Sequence, residues 1–438
     1  LNISKFGKGI GLHRMNYLTK GLQSTDWWTK NQPINIVGTD GKGSTATMIE
    51  SIFNALKIPN GKYTSPHLFE FAERIKVNNE NIKEADLLFI NNKIRLNIAE
   101  FLEENPTEQF GAFEIFTAMA LRYFYQKKVE VSILEAGIGG RYDATRICTG
   151  DFVALTSVSL EHKELLGNSP ELIAYDKMEI APAGSTVVVG MLDKSLLKRV
   201  KSYAQLKNVK IMPIIEHCKI EHCEMTAEEM TVNITIDGLD FSNLKCGLVG
   251  THQLSNLQVA ILISKLWIEK NRPNITATIF KNAVYQAMKT VKWKGRFEKI
   301  STDPTIYIDV GHTPDALRQV VFLYKKVKKK PTILIIGASY NKDIQGIVKI
   351  AYPIADQIIC TRAYHKGGKI DDVEKNVNQV NQRNLPIYKE KTIESAVDLA
   401  KKLAAKNDME IIILGGLFLA IEANAYIKGQ NPSELEFF

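Results

Sequence analysis

One stretch, Val37-Gly38-Thr39-Asp40-Gly41-Lys42-Gly43-Ser44-Thr45, constrains the fold of this chain more than any other. An apolar run, Ile34 to Val37, precedes it, and residues 46–56 repeat their apolar side chains at helical spacing, so the order is strand, glycine turn, helix. Glycines let the backbone bend sharply and turn successive N–H groups toward one point, and the helix adds its positive N-terminal end. Phosphate is the natural occupant of such a turn, with Lys42 as a point charge for the outer oxygens. The spacing is not the full G-x-x-x-x-G-K-[ST] form, and an ordinary tight turn before a helix is the competing reading.

The rest of the chain repeats the alternation. Val129 to Leu134 reads as a strand ending at Glu135, after a helical stretch around residues 113–121, and Phe152 to Val158 as another, running toward His162. Ser65-Pro66-His67 reads as an irregular loop after a short strand, because proline removes a donor and disfavours helix. Strands alternating with helices predict an α/β fold with a mostly parallel sheet covered on both faces. Glu135, His162 and Ser65 then follow strands at the sheet edge that carries the glycine turn. A carboxylate, an imidazole and a hydroxyl there suit a Mg²⁺ ion bridging phosphate oxygens. Taken singly, each has a structural alternative: Glu135 pairing with Arg141, His162 capping a helix, Ser65 closing a turn.

With 438 residues, two domains are expected, 1–296 and 297–438, the second a smaller α/β unit opening near Phe297. Its strands are expected at residues 305–309, 332–336, 357–361 and 411–414, the last closing the sheet. The apolar runs Pro331 to Ala338 and Ile411 to Ala420 read as buried strands, since neither reaches the ~18 residues of a membrane span. The first thirty residues, with Gly9 to Arg14 and an amphipathic segment ending in Trp27-Trp28, predict a leading helix packed on the first strand. Apolar residues make up 45% and charged residues 24%, ordinary globular values. Neither a membrane protein nor a disordered one is indicated.

A net charge of +8 invites a nucleic-acid reading, but the basic residues are dispersed. The one cluster, residues 325–330, ends a helix, where cations complement its dipole. No nucleic-acid or membrane partner is expected. Five scattered cysteines fit a reducing compartment, and no charged start followed by an apolar segment opens the chain, so a cytoplasmic protein is expected; no obvious exposed apolar stripe argues against a monomer. Residues 184–250 read as a small β region with a hairpin turning at Asp237-Gly238. Within it, His217-Cys218 and His222-Cys223 lack a zinc-ligand spacing and read as an exposed strand.

Several motifs together resemble the folylpolyglutamate synthase and dihydrofolate synthase family of the Mur ligase superfamily. They are Gly38 to Ser44, Thr64 to Leu68 with Glu73-Arg74-Ile75, Leu134 to Thr145, Leu160-Glu161-His162, Asp176-Lys177, Gly250 to Gln253 with Asn256, Gly295 to Glu298, Asp309 to Pro314, and Asn341-Lys342-Asp343. The resemblance runs in order through nearly the whole chain. It implies a P-loop-type first domain, a Rossmann-like second one, and an ATP-dependent ligase that joins L-glutamate to dihydropteroate or to a reduced folate through an acyl phosphate. It also implies roles for individual residues. Gly38, Thr39, Asp40, Gly41, Lys42, Gly43, Ser44 and Thr45 hold phosphates, with Lys42, His162 and Lys177 catalytic. Asn256, Arg296, Asp309 and His312 contact the nucleotide. Ser65, Glu135 and His162 hold Mg²⁺, and Lys177, carbamylated, holds a second one.

The chain departs from the family pattern at Asp40, Arg146, Glu179, Thr313 and Asn341. Asp40 sets a negative charge beside the triphosphate. Two other readings stay open on sequence alone: another Mur-type amino-acid ligase, and a nucleotide-binding regulatory protein that has lost catalysis.

Overall fold

The computed structural model describes residues 7, 9, 11–340 and 342–435. Eight strands form the first sheet: β1 (Ile34–Val37), β2 (Asn60–Tyr63), β3 (Ile75–Val77), β4 (Glu80–Asn81), β5 (Val131–Glu135), β6 (Phe152–Leu155), β7 (Thr186–Val189) and β8 (Lys210–Pro213). Their order is β4-β3-β2-β5-β1-β6-β7-β8. From β2 to β8 the pairings are parallel, and only the β2–β3–β4 edge is antiparallel. Burial on both faces explains why β1, β5 and β6 read as unbroken runs of buried residues rather than alternating ones.

A three-stranded antiparallel sheet follows, β9 (Cys218–Met225), β10 (Met230–Ile236) and β11 (Leu239–Cys246). The expected hairpin turn is present, with Asp237 and Gly238 at φ 45° and 80°, the left-handed pair a two-residue connection needs. Residues 218–225 are the expected strand with mostly exposed residues. His217 meets Asp237 and His222 meets Glu224, and no group of three His, Cys, Asp or Glu placed to hold a metal ion occurs among the described residues.

The third sheet contains β12 (Glu298–Thr302), β13 (Thr305–Ile308), β14 (Thr332–Ile336), β15 (Gln357–Cys360), β16 (Ile387–Lys389) and β17 (Glu410–Leu414), in the order β12-β13-β17-β14-β15-β16. Two expectations need correction here. β17 does not close the sheet; it inserts between β13 and β14, where all five of its residues are buried. The run Ile411 to Ala420 is not one strand either. Gly415, at φ 123° with the backbone of Gly337 against its α-carbon, breaks it, and the helix Leu417–Ile427 begins immediately after. An apolar run alone does not reveal that turn.

The leading helix, Leu12–Gln23, is also placed differently. Met15, Leu18 and Leu22 bury themselves in the cluster formed by the helices Glu84–Glu104 and Ala112–Gln126, rather than chiefly on the first strand. No described helix is long and apolar enough to cross a membrane.

Candidate active site

Strands β2, β5, β1 and β6 lie side by side and parallel, so their carboxyl ends share one edge. Ser65, Glu135, the glycine turn and the segment to His162 leave the sheet there, which is where open parallel sheets bind ligands. The glycine turn runs into the helix Lys42–Ala55. Its cap, Gly41, sits at φ 84° with no side-chain hydrogen bond to the first turn. The first N–H groups are therefore left for a ligand or water.

Glycine is required at two positions of the turn. A Cβ at Gly38 would lie 1.9 Å from Thr156 Oγ1, and one at Gly41 would lie 2.3 Å from Asn256 Oδ1. Asp40 anchors the turn through its backbone: its N–H donates to Ser157 Oγ at 2.9 Å and its carbonyl accepts from Thr156 Oγ1 at 2.6 Å. Lys42 Nζ folds back on the same turn, donating to the carbonyls of Gly38 (2.8 Å) and Thr39 (2.9 Å). These two carbonyls hold the ammonium where an incoming phosphate would compete for it.

A cleft of about 2110 Å³ opens above this edge, between the first and third sheets. Thr39, Asp40, Gly41, Lys42, Gly43, Ser65, Glu135, His162, Arg296 and His312 line it. Gly38, Ser44, Thr45, Lys177, Asn256 and Asp309 are not on its wall. Ser44 and Thr45 are buried in the first turn of the helix, and Asn256 lies behind the turn, donating to Gln253 Oε1 at 2.9 Å. Asp309 is buried as well: Oδ2 accepts from Phe297 N at 2.8 Å and Oδ1 from Gly311 N at 2.7 Å. With both oxygens occupied by backbone, its carboxylate fastens the linker to the loop that carries His312.

Glu135 is 4% exposed and accepts one hydrogen bond, from the backbone N–H of Ser65 at 3.1 Å. Burial raises its pKa, while Lys42, the Ser65 N–H and Arg296 oppose the shift. A carboxylate so poorly solvated is stabilised by a nearby cation. His162 adopts φ 42°, ψ 43°, a left-handed conformation that a histidine takes at a cost, and it leads the short helix Lys163–Leu166. Ser65, Glu135 and His162 thus offer a hydroxyl, a carboxylate and an imidazole. That is a partial set for Mg²⁺, which keeps waters and phosphate oxygens in its remaining positions. The residues fit the ion.

Lys177, in the helix Pro170–Met178, is 1% exposed, and its Nζ donates to Glu161 Oε1 at 2.6 Å. Burial lowers its pKa, and Lys42 lowers it further against the pull of Glu161. The partner Glu161 lines the cleft and is the residue that sequence reasoning passed over, although it directly precedes His162. Two departures from the family pattern meet nearby. Glu179 accepts from Tyr203 Oη (2.5 Å) and Lys207 Nζ (2.7 Å), with Arg146 Nη2 at 3.9 Å from its second oxygen, so its charge turns away from Lys177. Thr313 caps the helix Pro314–Val327 by accepting from Ala316 N at 3.2 Å. Asn341 lies outside the described residues. The alternative pairing of Glu135 with Arg141 is not what is observed; Arg141 Nε lies 4.0 Å from Asp176.

Residues 36–264, more than half of the chain, match the model of the Mur ligase middle domain, and residues 295–416 match that of the Mur ligase glutamate ligase domain. A dihydrofolate synthase/folylpolyglutamate synthase from Bacillus subtilis is 29% identical over 356 residues, 81% of this chain and 81% of that protein. A probable bifunctional folylpolyglutamate synthase/dihydropteroate synthase from Halobacterium salinarum is 30% identical over 392 residues, covering 89% of this chain. The chain spans about half the length of that relative, 46%. Among solved structures, the folylpolyglutamate synthase of Mycobacterium tuberculosis complexed with ADP and AMPPCP superposes with a TM-score of 0.87 at 22% identity, covering 96% of each chain, a likeness of fold. With both domain models matched in order along one chain, the first over more than half of it, the protein belongs to the Mur ligase superfamily, and the relatives it resembles there are folylpolyglutamate and dihydrofolate synthases.

Proposed function

We propose that this chain is an ATP-dependent ligase that joins L-glutamate to a folate-type carboxylate, either dihydropteroate or a reduced folate already carrying glutamate. The observation that carries this reading is the meeting of the glycine turn, Ser65, Glu135 and His162 at one sheet edge, facing Arg296 and His312 across a single cleft. In this reading residues 1–296 bind ATP and residues 297–438 bring glutamate.

A carboxylate oxygen of the acceptor takes the γ-phosphoryl group of ATP, and ADP leaves. The glutamate amine then attacks the acyl carbon, phosphate departs, and the amine loses a proton. Phosphoryl transfer asks the protein mainly for alignment and charge neutralisation. Backbone N–H groups of the turn and the Lys42 ammonium hold the β- and γ-phosphates, and Lys42 exchanges its two carbonyl partners for phosphate oxygens. Arg296, whose buried Nε has no hydrogen-bond partner among the described residues, neutralises charge from the linker. Ser65, Glu135 and His162 would hold Mg²⁺, which when bound would supply positive charge to offset that of the phosphates. The lowered pKa of Lys177 favours the neutral amine, the form able to take up CO₂ and become a carbamate for a second ion. Closure of the two units over the cleft keeps water from the acyl phosphate. We take the protein to be a cytoplasmic monomer.

The decisive experiment measures glutamate-dependent ADP formation with dihydropteroate and with a reduced folate, beside a peptidoglycan nucleotide offered its own amino acids. Turnover with a pteroate or folate supports the proposal. Turnover only with the peptidoglycan precursor assigns another Mur-type reaction, and ATP binding without turnover on any acceptor defeats the enzyme readings.

A further inference from the structure

The linker at residues 291–297 joins the helix Ala277–Thr290 to β12, and several of its residues from Trp293 onward are tied to segments of both units. Trp293 lies against the glycine turn: a Cβ at Gly43 would sit 2.9 Å from Trp293 Cζ2 and 3.2 Å from Cε2. Lys62 Nζ also stands over this ring, 5.0 Å from its centroid. Lys294 Nζ lies 3.4 Å from Glu73 Oε1, and Glu73 in turn accepts from Leu68 N in the segment that follows Ser65-Pro66. Gly295 donates to Glu298 Oε2 at 2.6 Å and accepts from Val310 N at 3.0 Å. Arg296 lines the cleft, and Phe297 N is held by Asp309.

The indole therefore touches the first turn of the phosphate-loop helix three residues before Arg296. No room separates the ring from the Gly43 backbone, so a shift of that turn is passed to the indole and along a linker that is held at Lys294, Gly295 and Phe297, on either side of Arg296. We infer that Trp293 is a positioning residue that couples occupancy of the glycine turn to the placement of Arg296 in the cleft. The inference rests on the reading that the turn binds nucleotide phosphates. A tryptophan that merely filled space there would affect stability and leave the partition between binding and turnover unchanged.

Three proteins test this: wild type, Trp293→Phe and Trp293→Ala, each checked for an intact melting transition and titrated with ADP·Mg²⁺ and with a non-hydrolysable ATP analogue. Nucleotide is expected to change the tryptophan emission of wild type. Trp293→Phe should lose that change while binding nucleotide within about threefold of wild type, because the backbone N–H groups that hold the phosphates remain. Trp293→Ala should lower kcat by about 10- to 100-fold with the KM for ATP altered by less than about threefold, the signature of a misplaced transition-state contact. If Trp293→Ala does not fold, the emission and kcat of Trp293→Phe decide alone. An emission change that persists in Trp293→Phe, a Trp293→Ala kcat within about twofold of wild type, or a loss confined to KM overturns the inference. Failure of wild type to bind nucleotide overturns the functional reading as well, whereas binding without a Trp293 signal overturns this inference only.

Discussion

Beneath the glycine turn lies a buried charge pair whose removal has a calculable consequence. Lys62 on β2 and Glu50 on the helix Lys42–Ala55 are each 1% exposed, and the lysine ammonium meets Glu50 Oε2. It also donates to Thr47 Oγ1 at 3.1 Å. Apart from that ammonium, no hydrogen-bond donor among the described residues reaches either Glu50 carboxylate oxygen. Lys62→Met fills nearly the same volume but strands the carboxylate. Breaking a buried pair in this way costs about 3–5 kcal/mol, because the remaining ion has lost water without gaining a partner. At about 2–4 °C per kcal/mol for a unit of 150–250 residues, the melting temperature falls by about 6–20 °C. Replacing both partners, Lys62→Met with Glu50→Leu, removes the stranded charge and should return stability to within about 1 kcal/mol of wild type. Thermal unfolding followed by circular dichroism, with urea unfolding of the same proteins, measures all three. A single variant that loses less than about 1 kcal/mol, or a double variant no more stable than the single, refutes the reasoning.

Asp40→Asn removes a negative charge from the mouth of the glycine turn and should tighten binding of an ATP analogue with Mg²⁺ by about 2- to 5-fold in calorimetric titration, less at high salt; unchanged or weaker binding would show that Lys42 and Arg296 already compensate it. Gly41→Ala forces a side chain into a left-handed residue at φ 84° and against Asn256 Oδ1, so nucleotide affinity or stability should drop by about 2–4 kcal/mol. An alanine variant equal to wild type in both would mean the turn relaxes freely. Burial, helped by Arg296, lowers the pKa of His252 to about 4, below its ordinary value, and its Nδ1 has no hydrogen-bond partner. The folded protein thus resists protonation there. The sign follows: this contribution is complete above pH 6.5 and is lost as pH falls toward 4, by about 3 kcal/mol. In His252→Gln the unfolding free energy should fall less steeply between pH 6.5 and 4, and an identical slope would remove His252 as the cause.

How much of the site was legible depended on the kind of signal. The glycine turn, Glu135 and Ser65 announce themselves because a strand end followed by glycine or proline fixes where the chain leaves the sheet. Glu161 and Trp293 carry no comparable local mark. Each matters through a partner, Lys177 and Gly43, 16 and 250 positions away. The same limit explains Asp309, which sits in a recognisable motif yet spends both oxygens on backbone N–H groups of Phe297 and Gly311. The family resemblance implied a nucleotide contact for Asp309; only the hydrogen bonds tell which way its carboxylate points.

By itself, the sequence determined the α/β class, the two-part organisation expected along the chain, and the family, because periodicity and glycine chemistry are local and the motifs keep their order. The tertiary structure decided which strands neighbour each other, that β17 lies inside its sheet rather than at its edge, and which of the expected residues reach the cleft. Strand order and side-chain direction depend on packing among residues hundreds of positions apart, and no local pattern encodes that packing. In the glycine turn the two meet: its residues made phosphate the natural occupant, but Asn256, Thr156 and Trp293, pressed against it from elsewhere in the chain, hold it in the shape that can take one.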